Sequence, residues 1–158
     1  MKKIHTLILW AFAAVAVLPA AAAAADGPQP IATVQRFLDA FNKGDLKAAE
    51  ATHAAEVAIV DEIPPFHWKG REAFKGWLAD LTEYDLAREI TDGNMKLGST
   101  IREEADHDDA YVVVATEYTF KEKGTPMRAA SQMTFALKKD KVGWRIVAWT
   151  YAGPKAAP

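Results

Sequence analysis

Asp61 is the side chain in this sequence best suited to acid–base chemistry. It lies in an alternating segment, residues 56–62, in which Val57, Ile59 and Asp61 share one face of a predicted strand. A carboxyl group beside apolar walls is poorly solvated, and desolvation raises its pKa toward the range useful for moving a proton. The structural alternative is that Asp61 closes the strand by bonding local backbone groups or by pairing with Arg71. We consider Asp61 a candidate general base.

Metal and cofactor chemistry has little support in the sequence. His53, His67 and His107 are too scattered to indicate a zinc site. The acidic turn at residues 106–109 has no glycine at the bend and no calcium-loop spacing, and we interpret it as a solvated turn. The chain has no Gly-rich phosphate loop, no Gly-x-Ser-x-Gly elbow and no cysteine. We therefore predict no metal and no cofactor.

The elements that must position Asp61 are predicted from hydrophobic periodicity. The first half of the chain contains three helices, at residues 31–42, 45–53 and 70–86, with the strand at 56–62 between the second and third. The second half contains four long alternating strands separated by turn sequences, at residues 94–104, 110–122, 127–139 and 144–151. Helices followed by an antiparallel meander predict an α+β fold.

The predicted strand at residues 110–122 is apolar on both faces. Opposite the face that begins with Ala110 and Val112 lie Tyr111, Val113 and Ala115. A sheet face in contact with water is normally polar, so we expect a second subunit to cover this face and predict a homodimer through the convex side of the sheet. The alternative is a strongly curved sheet whose convex side is less polar than usual.

The N-terminus has the pattern of a secretory signal peptide. A basic head at Lys2 and Lys3 precedes an apolar run over residues 7–18 and an alanine-rich stretch that ends at Ala25. Residues 1–25 are therefore predicted to be cleaved after export. The alternative is a retained membrane anchor.

Residues 26–158 are predicted to form a single exported domain. Without Lys2 and Lys3, this part has 17 basic and 21 acidic residues, which disfavours nucleic acid as a partner. It contains no second long apolar segment, so we expect no membrane association after cleavage of the signal. The lack of cysteine excludes disulfides and lipid attachment at a cysteine, and the predicted location is periplasmic or secreted.

Four segments resemble the nuclear transport factor 2-like superfamily, which includes the SnoaL-like proteins and the ketosteroid isomerases. They are FLDAFNKGD (37–45), AIVD (58–61), GREAF (70–74) and GWRIVAW (143–149). The resemblance implies a cone-shaped, curved antiparallel sheet wrapped around three N-terminal helices, with a blind pocket between them. Members include isomerases, dehydratases, epoxide hydrolases, polyketide cyclases and non-catalytic binding modules, so the fold alone does not identify an activity.

The resemblance to the isomerases implies a role for two residues. Asp61 occupies the place of their general base, and His53 occupies the place of a pocket tyrosine, so that it is expected to face the cavity near Asp61. The alternative for His53 is a favourable interaction with the end of the second helix.

Three positions argue against steroid isomerisation. Phe37 and Leu78 stand where the isomerases have tyrosines, and the strand around Met133 offers no carboxyl group in any register. An oxyanion donor is typically worth about 3 kcal/mol, so this set should cost several orders of magnitude in rate.

The resemblance also implies a largely apolar pocket. Strand parity places Trp149 and Tyr151 on the pocket side, opposite Trp144 and Ile146. Trp68, which follows the paired prolines at residues 64–65, is expected near the mouth. The predicted ligand-binding residues are Phe37, Trp68, Trp77, Thr116, Tyr118, Phe120, Gln132, Thr134, Trp149 and Tyr151. The alternatives are that the rings fill the space as core and that Trp68 packs under the third helix.

The sequence therefore predicts an exported protein that binds a small hydrophobic molecule. The first alternative is a cofactor-independent lyase, isomerase or hydrolase with Asp61 as base and His53 or Tyr118 as acid. A second alternative is a scaffold whose outer sheet face binds another protein.

Overall fold

The computed structural model describes residues 29–153 of the chain. The predicted signal peptide, residues 1–25, lies outside this range. Among the described residues, no helix is long and apolar enough to cross a membrane.

Three helices and six strands follow one another in this part of the chain. The helices are α1 (Pro30–Asn42), α2 (Leu46–Glu50) and α3 (Ala73–Arg88). The strands are β1 (His53–Val60), β2 (His67–Gly70), β3 (Ile90–Asp106), β4 (Asp109–Glu122), β5 (Thr125–Asp140) and β6 (Gly143–Ala152). Helices in the first half and a long meander in the second confirm the predicted α+β class.

The six strands form one sheet in the order β2-β1-β6-β5-β4-β3. Neighbouring strands are antiparallel except β1 and β6, which are parallel. The sheet is therefore mixed: the antiparallel pairing that was predicted holds for every pair of neighbours except β1 and β6. The difference arises because β1 joins the meander along the free edge of β6 and runs in the same direction as that strand.

One face of the sheet packs against the helices. In α1, Val34, Phe37 and Leu38 recur at helical spacing and are at most 2 % exposed. In α3, Phe74 and Trp77 are buried in the same way. Burial of a large apolar side chain is worth about 1.5–3 kcal/mol, so these residues tie both helices to one core with the inner face of the sheet.

The boundary between α2 and β1 differs from the predicted one. Asp45 caps α2 as expected, since its Oδ1 accepts a hydrogen bond from the backbone N–H of Ala48 at 3.0 Å. The helix ends at Glu50, however, and His53 is the first residue of β1 rather than the last of a helix. The backbone N–H of Ile146 in β6 donates to the carbonyl of Thr52 at 3.0 Å, so pairing with β6 starts the strand earlier.

A β-bulge in β6 overturns the predicted strand parity there. Ala136 pairs with Ala148, but Leu137 pairs with Ile146, so one extra residue lies between them in β6. Ile146 and Trp149, three residues apart, are consequently both buried in the core, at 0 % and 2 % exposed. The sequence placed these two side chains on opposite faces, because the alternation of a regular strand contains no such insertion.

Candidate functional site

A cavity of about 410 Å³ lies between α3, the turn after β1 and the inner face of the sheet. Its walls are largely apolar and include six aromatic residues, Phe41, Trp77, Tyr84, Tyr118, Phe120 and Tyr151, beside aliphatic side chains. Its charged groups are Asp61, Glu62, Asp85, Arg88 and Glu122. A volume of this size and an apolar lining with a few polar groups are typical of small-molecule sites.

The carboxyl group of Asp61 is held in the cavity by a hydrogen bond to each of its two oxygens. It directly follows β1, and its backbone N–H donates to the carbonyl of Phe66 at 3.2 Å, which holds the turn. Its Oδ2 accepts a hydrogen bond from Nε1 of Trp77 at 2.9 Å, and its Oδ1 accepts one from the backbone N–H of Glu62 at 2.6 Å. Burial raises the pKa of Asp61, and these two hydrogen bonds oppose the rise without cancelling it.

Asp85 is a second cavity carboxyl group, and the sequence-based site did not include it. Burial raises its pKa from 3.8 to about 6. No side-chain hydrogen bond or ion pair to its carboxyl group is found within residues 29–153. The sequence did contain a pattern that could have identified Asp85. Trp77, Leu81 and Asp85 are spaced four apart on α3 and form one helical stripe along the cavity.

Arg88, one turn further along α3, is already engaged. Its guanidinium group forms a 2.6 Å ion pair with Glu122 of β4 and donates to the hydroxyl of Tyr84 at 2.9 Å. These contacts raise the pKa of Arg88. The only cation that lines the cavity in the described part of the chain is thus neutralised by Glu122.

Tyr118 presents its hydroxyl group to the acidic side of the cavity. Its ring stacks on Phe120, with the ring centroids 4.9 Å apart. Burial raises the pKa of Tyr118, and the charges of Asp85, Tyr151 and Asp61 raise it further. The ring fits because residue 93 is glycine, since a Cβ atom there would lie 2.6 Å from the hydroxyl oxygen.

The structure brings five of the predicted site residues together. Asp61, Trp77, Tyr118, Phe120 and Tyr151 all line the cavity. They come from the turn after β1, from α3, and from β4 and β6. Strand alternation in β4 was sufficient to place Tyr118 and Phe120 correctly, and helical spacing in α3 was sufficient for Trp77.

His53 does not line the cavity, contrary to the prediction. It is 7 % exposed, and its ring packs between Phe37 and Phe74 with centroid distances of 4.9 and 4.8 Å. Its Nε2 accepts a hydrogen bond from Nε1 of Trp149 at 3.1 Å, which places the ring proton on Nδ1 beside the carbonyl of Ala49 at 3.0 Å. Burial lowers the pKa of His53 from 6.5 to about 4, so the ring is neutral and structural.

Three further predicted ligand-binding residues belong to the core. Phe37 and Trp149 are 1 % and 2 % exposed and pack on each other with ring centroids 5.9 Å apart. Thr116 is 5 % exposed, and its hydroxyl group is hydrogen-bonded to that of Ser131 on β5 at 2.8 Å. The rings of Phe37 and Trp149 therefore fill the space between α1 and the sheet and do not line the cavity.

Gln132 and Thr134 lie on the opposite face of the sheet from the cavity. They alternate along β5 with Met133 and Phe135, which are 3 % and 0 % exposed in the core. The prediction carried a register uncertainty of one residue in this strand, and such a shift moves every side chain to the other face.

Trp68 packs under α3 instead of covering the mouth of a pocket. It is 8 % exposed, and its Nε1 donates to Oδ2 of Asp80 at 2.7 Å. Its ring lies against Gly76, where an added Cβ atom would approach Trp68 to 3.3 Å. The pair formed by Trp68 and Asp80 has the same chemistry as the pair formed by Trp77 and Asp61, but it does not line the cavity.

No group of three or more His, Cys, Asp or Glu residues within the described range 29–153 is arranged to hold a metal ion. The carboxyl and hydroxyl groups that line the cavity can take part in hydrogen bonding, proton transfer and charge pairing with an organic molecule.

Comparison with known proteins identifies the fold. No curated protein matches the chain. A ketosteroid isomerase-like protein from Erwinia carotovora atroseptica is 25 % identical, with a TM-score of 0.58 over 81 % of this chain and 94 % of that one. A nuclear transport factor 2-like superfamily protein from Salmonella enterica is 16 % identical, with a TM-score of 0.64 over 78 % of this chain and 87 % of that one.

A third similar structure is a nuclear transport factor 2-like protein from Novosphingobium aromaticivorans. It is 17 % identical and has a TM-score of 0.62, covering 78 % of this chain and 79 % of that one. Residues 31–152, which include every helix and strand except the first residue of α1, match the SnoaL-like domain family. The chain therefore belongs to the SnoaL-like domain family, and its fold is that of the nuclear transport factor 2-like proteins.

Proposed function

We propose that this is an exported protein that binds a small, largely hydrophobic molecule in the cavity between α3 and the sheet. The observation that supports the proposal is the cavity itself, about 410 Å³ in volume, with six aromatic residues in its walls. Apolar surface provides affinity in such sites, and a small number of converging polar groups fix the orientation of the ligand. Export rests on the predicted signal peptide.

Asp61 is the polar anchor in this proposal. Two hydrogen bonds fix its carboxyl group in one orientation, so little side-chain entropy is lost when a ligand binds to it. The hydroxyl groups of Tyr118 and Tyr151 line the same cavity and offer further donors and acceptors.

A cofactor-independent lyase, isomerase or hydrolase is the second candidate. It is favoured by one observation, that two carboxyl groups with raised pKa, Asp61 and Asp85, line the same cavity as Tyr118. A raised carboxyl pKa suits a general base, and a tyrosine hydroxyl group can act as the acid. In this reading Asp61 is the base and Tyr118 is the acid.

A thermal-shift screen tests binding. The protein is screened against lipophilic ketones, lactones, epoxides, amines and aromatic acids, together with Asp61→Asn and with Asp80→Asn. Asp80→Asn is a matched control, because Asp80 accepts the same kind of indole hydrogen bond at a place that does not line the cavity. A ligand at about 100 times its dissociation constant adds about 2.7 kcal/mol to the free energy of unfolding.

The expected result is a chemotype that stabilises the wild type and Asp80→Asn equally and stabilises Asp61→Asn less. If no chemotype shifts the wild type, the binding proposal is wrong. Each ligand found is then incubated with the protein and analysed by mass spectrometry. Turnover that is lost in Asp61→Asn would favour the enzyme, and its absence would favour a binding protein.

A further inference from the structure

The charged groups of the cavity do not balance. Arg88 is paired with Glu122, whereas Asp61, Glu62 and Asp85 form no ion pair with a Lys, Arg or His in the described part of the chain. Three carboxyl groups are thus left facing one largely apolar space. The cavity lining therefore has a surplus of negative charge that no ion pair in residues 29–153 offsets.

Burial makes this surplus costly. It raises the pKa of all three carboxyl groups; at Glu62 the nearby charge of Asp61 adds to the rise and the charge of Arg88 opposes it. The charges of Asp85 and Asp61 also raise the pKa of Tyr118, so their field reaches across the cavity to β4. A cation in this space would stabilise the ionised carboxylates, and no other kind of ligand would do so as strongly.

The aromatic walls also suit a cation. Trp77 directs its N–H at Asp61, so its indole ring stands beside the carboxylate. Tyr118 and Phe120 present a stacked pair from the facing strand. The face of an aromatic ring attracts an ammonium group, more strongly when water is excluded, and the same rings bury hydrocarbon.

We propose that the ligand of this cavity is a lipophilic amine, bound as its ammonium ion by the carboxylates of Asp61 and Asp85 with its hydrocarbon part against the aromatic walls. The inference rests on the proposed binding function and adds the charge class of the ligand to it. A neutral ligand can donate a hydrogen bond to a carboxylate or accept one from a protonated carboxyl group, but it brings no charge to offset the carboxylates. An anionic ligand would have to overcome three carboxylates.

The charge class can be recognised from the pH dependence of binding. The other titratable groups that share the cavity with Asp85 are Asp61 and Glu62 in the turn after β1, Tyr84 and Arg88 on α3, Tyr118 and Glu122 on β4, and Tyr151 on β6. Among them, the carboxyl groups ionise as the pH rises, and an ammonium ligand gains partners as they do so. A neutral ligand that accepts hydrogen bonds from protonated carboxyl groups loses its donors over the same range.

Isothermal titration calorimetry with matched probes provides the test. The probes are 2-(naphthalen-2-yl)ethylamine, the corresponding alcohol and the corresponding carboxylic acid, measured at about pH 5 and about pH 7.5. The proteins are the full chain, Asp61→Asn, Asp85→Asn and the control Asp80→Asn. The readout is the ratio of amine to alcohol affinity within each protein. Partial unfolding of a variant weakens the apparent affinity for both ligands by the same factor, so it does not change this ratio.

We expect the amine to bind the wild type about tenfold more tightly than the alcohol at the higher pH, with the ratio falling toward one at the lower pH. Asp61→Asn and Asp85→Asn should lower the ratio at least several-fold, and Asp80→Asn should leave it unchanged. If the alcohol or the acid binds as tightly as the amine, the inference is overturned and the binding function stands. If no probe binds, both are contradicted.

Discussion

Nε1 of Trp77 donates a 2.9 Å hydrogen bond to Oδ2 of Asp61 and so links an aromatic wall of the cavity to one of its carboxyl groups. The ring of Trp77 also packs against Phe41 and Trp149, with centroid distances of 5.4 and 5.0 Å. The indole therefore has two roles. It fills the core beneath the cavity, and it stabilises the ionised form of Asp61 against the effect of burial.

Trp77→Phe should raise the pKa of Asp61 further. The substitution keeps an aromatic ring but removes the donor that favours the carboxylate, while burial continues to favour the acid. The pKa is measured from the carboxyl carbon shift of Asp61 during an NMR titration. Trp68→Phe is the control, because it removes the equivalent 2.7 Å hydrogen bond to Asp80, which does not line the cavity. An Asp61 pKa that is unchanged in Trp77→Phe would contradict this role.

Asp85→Asn should stabilise the free protein at neutral pH. Because the pKa of Asp85 is raised to about 6 in the folded state, the folded protein binds the proton more tightly than the unfolded chain does, and stability is lost as the pH rises through this range. The amide has no charge to desolvate. Solvent screening at a partly exposed carboxyl group limits the gain at pH 7 to about 1 kcal/mol.

The measurement for Asp85→Asn is urea denaturation at about pH 4 and about pH 7, compared with the wild type. The two proteins should differ less at the lower pH, where Asp85 is protonated. Equal differences at both pH values would show that desolvation of the Asp85 carboxylate is not the cause.

The fold could be predicted from hydrophobic periodicity, and the errors in the site have particular physical causes. Alternation placed Tyr118 and Phe120 on the inner face correctly because β4 pairs with β5 without a register shift. It failed in β6, where the bulge at Val147 has no sequence signal. In β5, an error of one residue was sufficient to misplace Gln132 and Thr134.

The candidate site was harder to predict because burial does not distinguish core from cavity. Phe37 and Trp77 are both buried aromatic residues in helices whose apolar residues recur at helical spacing. Phe37 nevertheless fills the core, whereas Trp77 lines the cavity. Asp85 was overlooked because a carboxyl group at the end of a helix is usually solvated. Its position becomes informative only when the stripe through Trp77 and Leu81 is known to face a cavity.

The homodimer stays a prediction, and the outer face of the sheet provides its test. Strands β4, β5 and β6 present an uncharged patch made of three rows of paired side chains. Across the three strands, the rows are Tyr111–Ala136–Ala148, Val113–Thr134–Thr150 and Ala115–Gln132–Ala152. Thr134 lies at its centre. Thr134→Arg should convert a dimer into a monomer in sedimentation equilibrium, because a buried unpaired charge is costly.

Thr82→Arg is the control for the dimer, since Thr82 is exposed on α3 and lies away from the outer sheet face. A wild-type protein that sediments as a monomer at all concentrations would refute the predicted dimer. A dimer that survives Thr134→Arg would place the interface elsewhere.

Gly93→Ala should change ligand affinity with little effect on stability. The added Cβ atom would lie 2.6 Å from the hydroxyl oxygen of Tyr118, and the end of this side chain can move into the cavity to avoid it. Gly98→Ala is the contrasting variant, because its Cβ atom would lie 2.9 Å from the backbone carbonyl oxygen of Ala115, which cannot move in the same way.

Gly98→Ala should therefore cost about 1–3 kcal/mol of stability and leave affinity nearly unchanged. Binding of a cavity ligand is measured by calorimetry, and stability by urea denaturation. The interpretation of Gly93 as the space reserved for Tyr118 would be wrong if both variants lost stability equally and neither changed affinity.

His53→Gln should remove part of the acid sensitivity of the protein. The pKa of His53 is lowered to about 4 in the folded state, so between about pH 6.5 and 4 the unfolded chain binds a proton that the folded protein does not. Stability therefore falls with decreasing pH, by up to about 3 kcal/mol for this group. Glutamine does not titrate, and it can still accept the hydrogen bond from Trp149.

His53→Gln is expected to cost stability at pH 7, because it loses ring contacts with Phe37 and Phe74. This cost should shrink as the pH is lowered, because only the wild type meets the penalty for protonating a buried imidazole. The difference in free energy of unfolding between the two proteins is followed by urea denaturation at several pH values, with His67→Gln on the exposed side of β2 as control. A difference that stays constant from pH 7 to pH 4 would mean that His53 is not held neutral in the core.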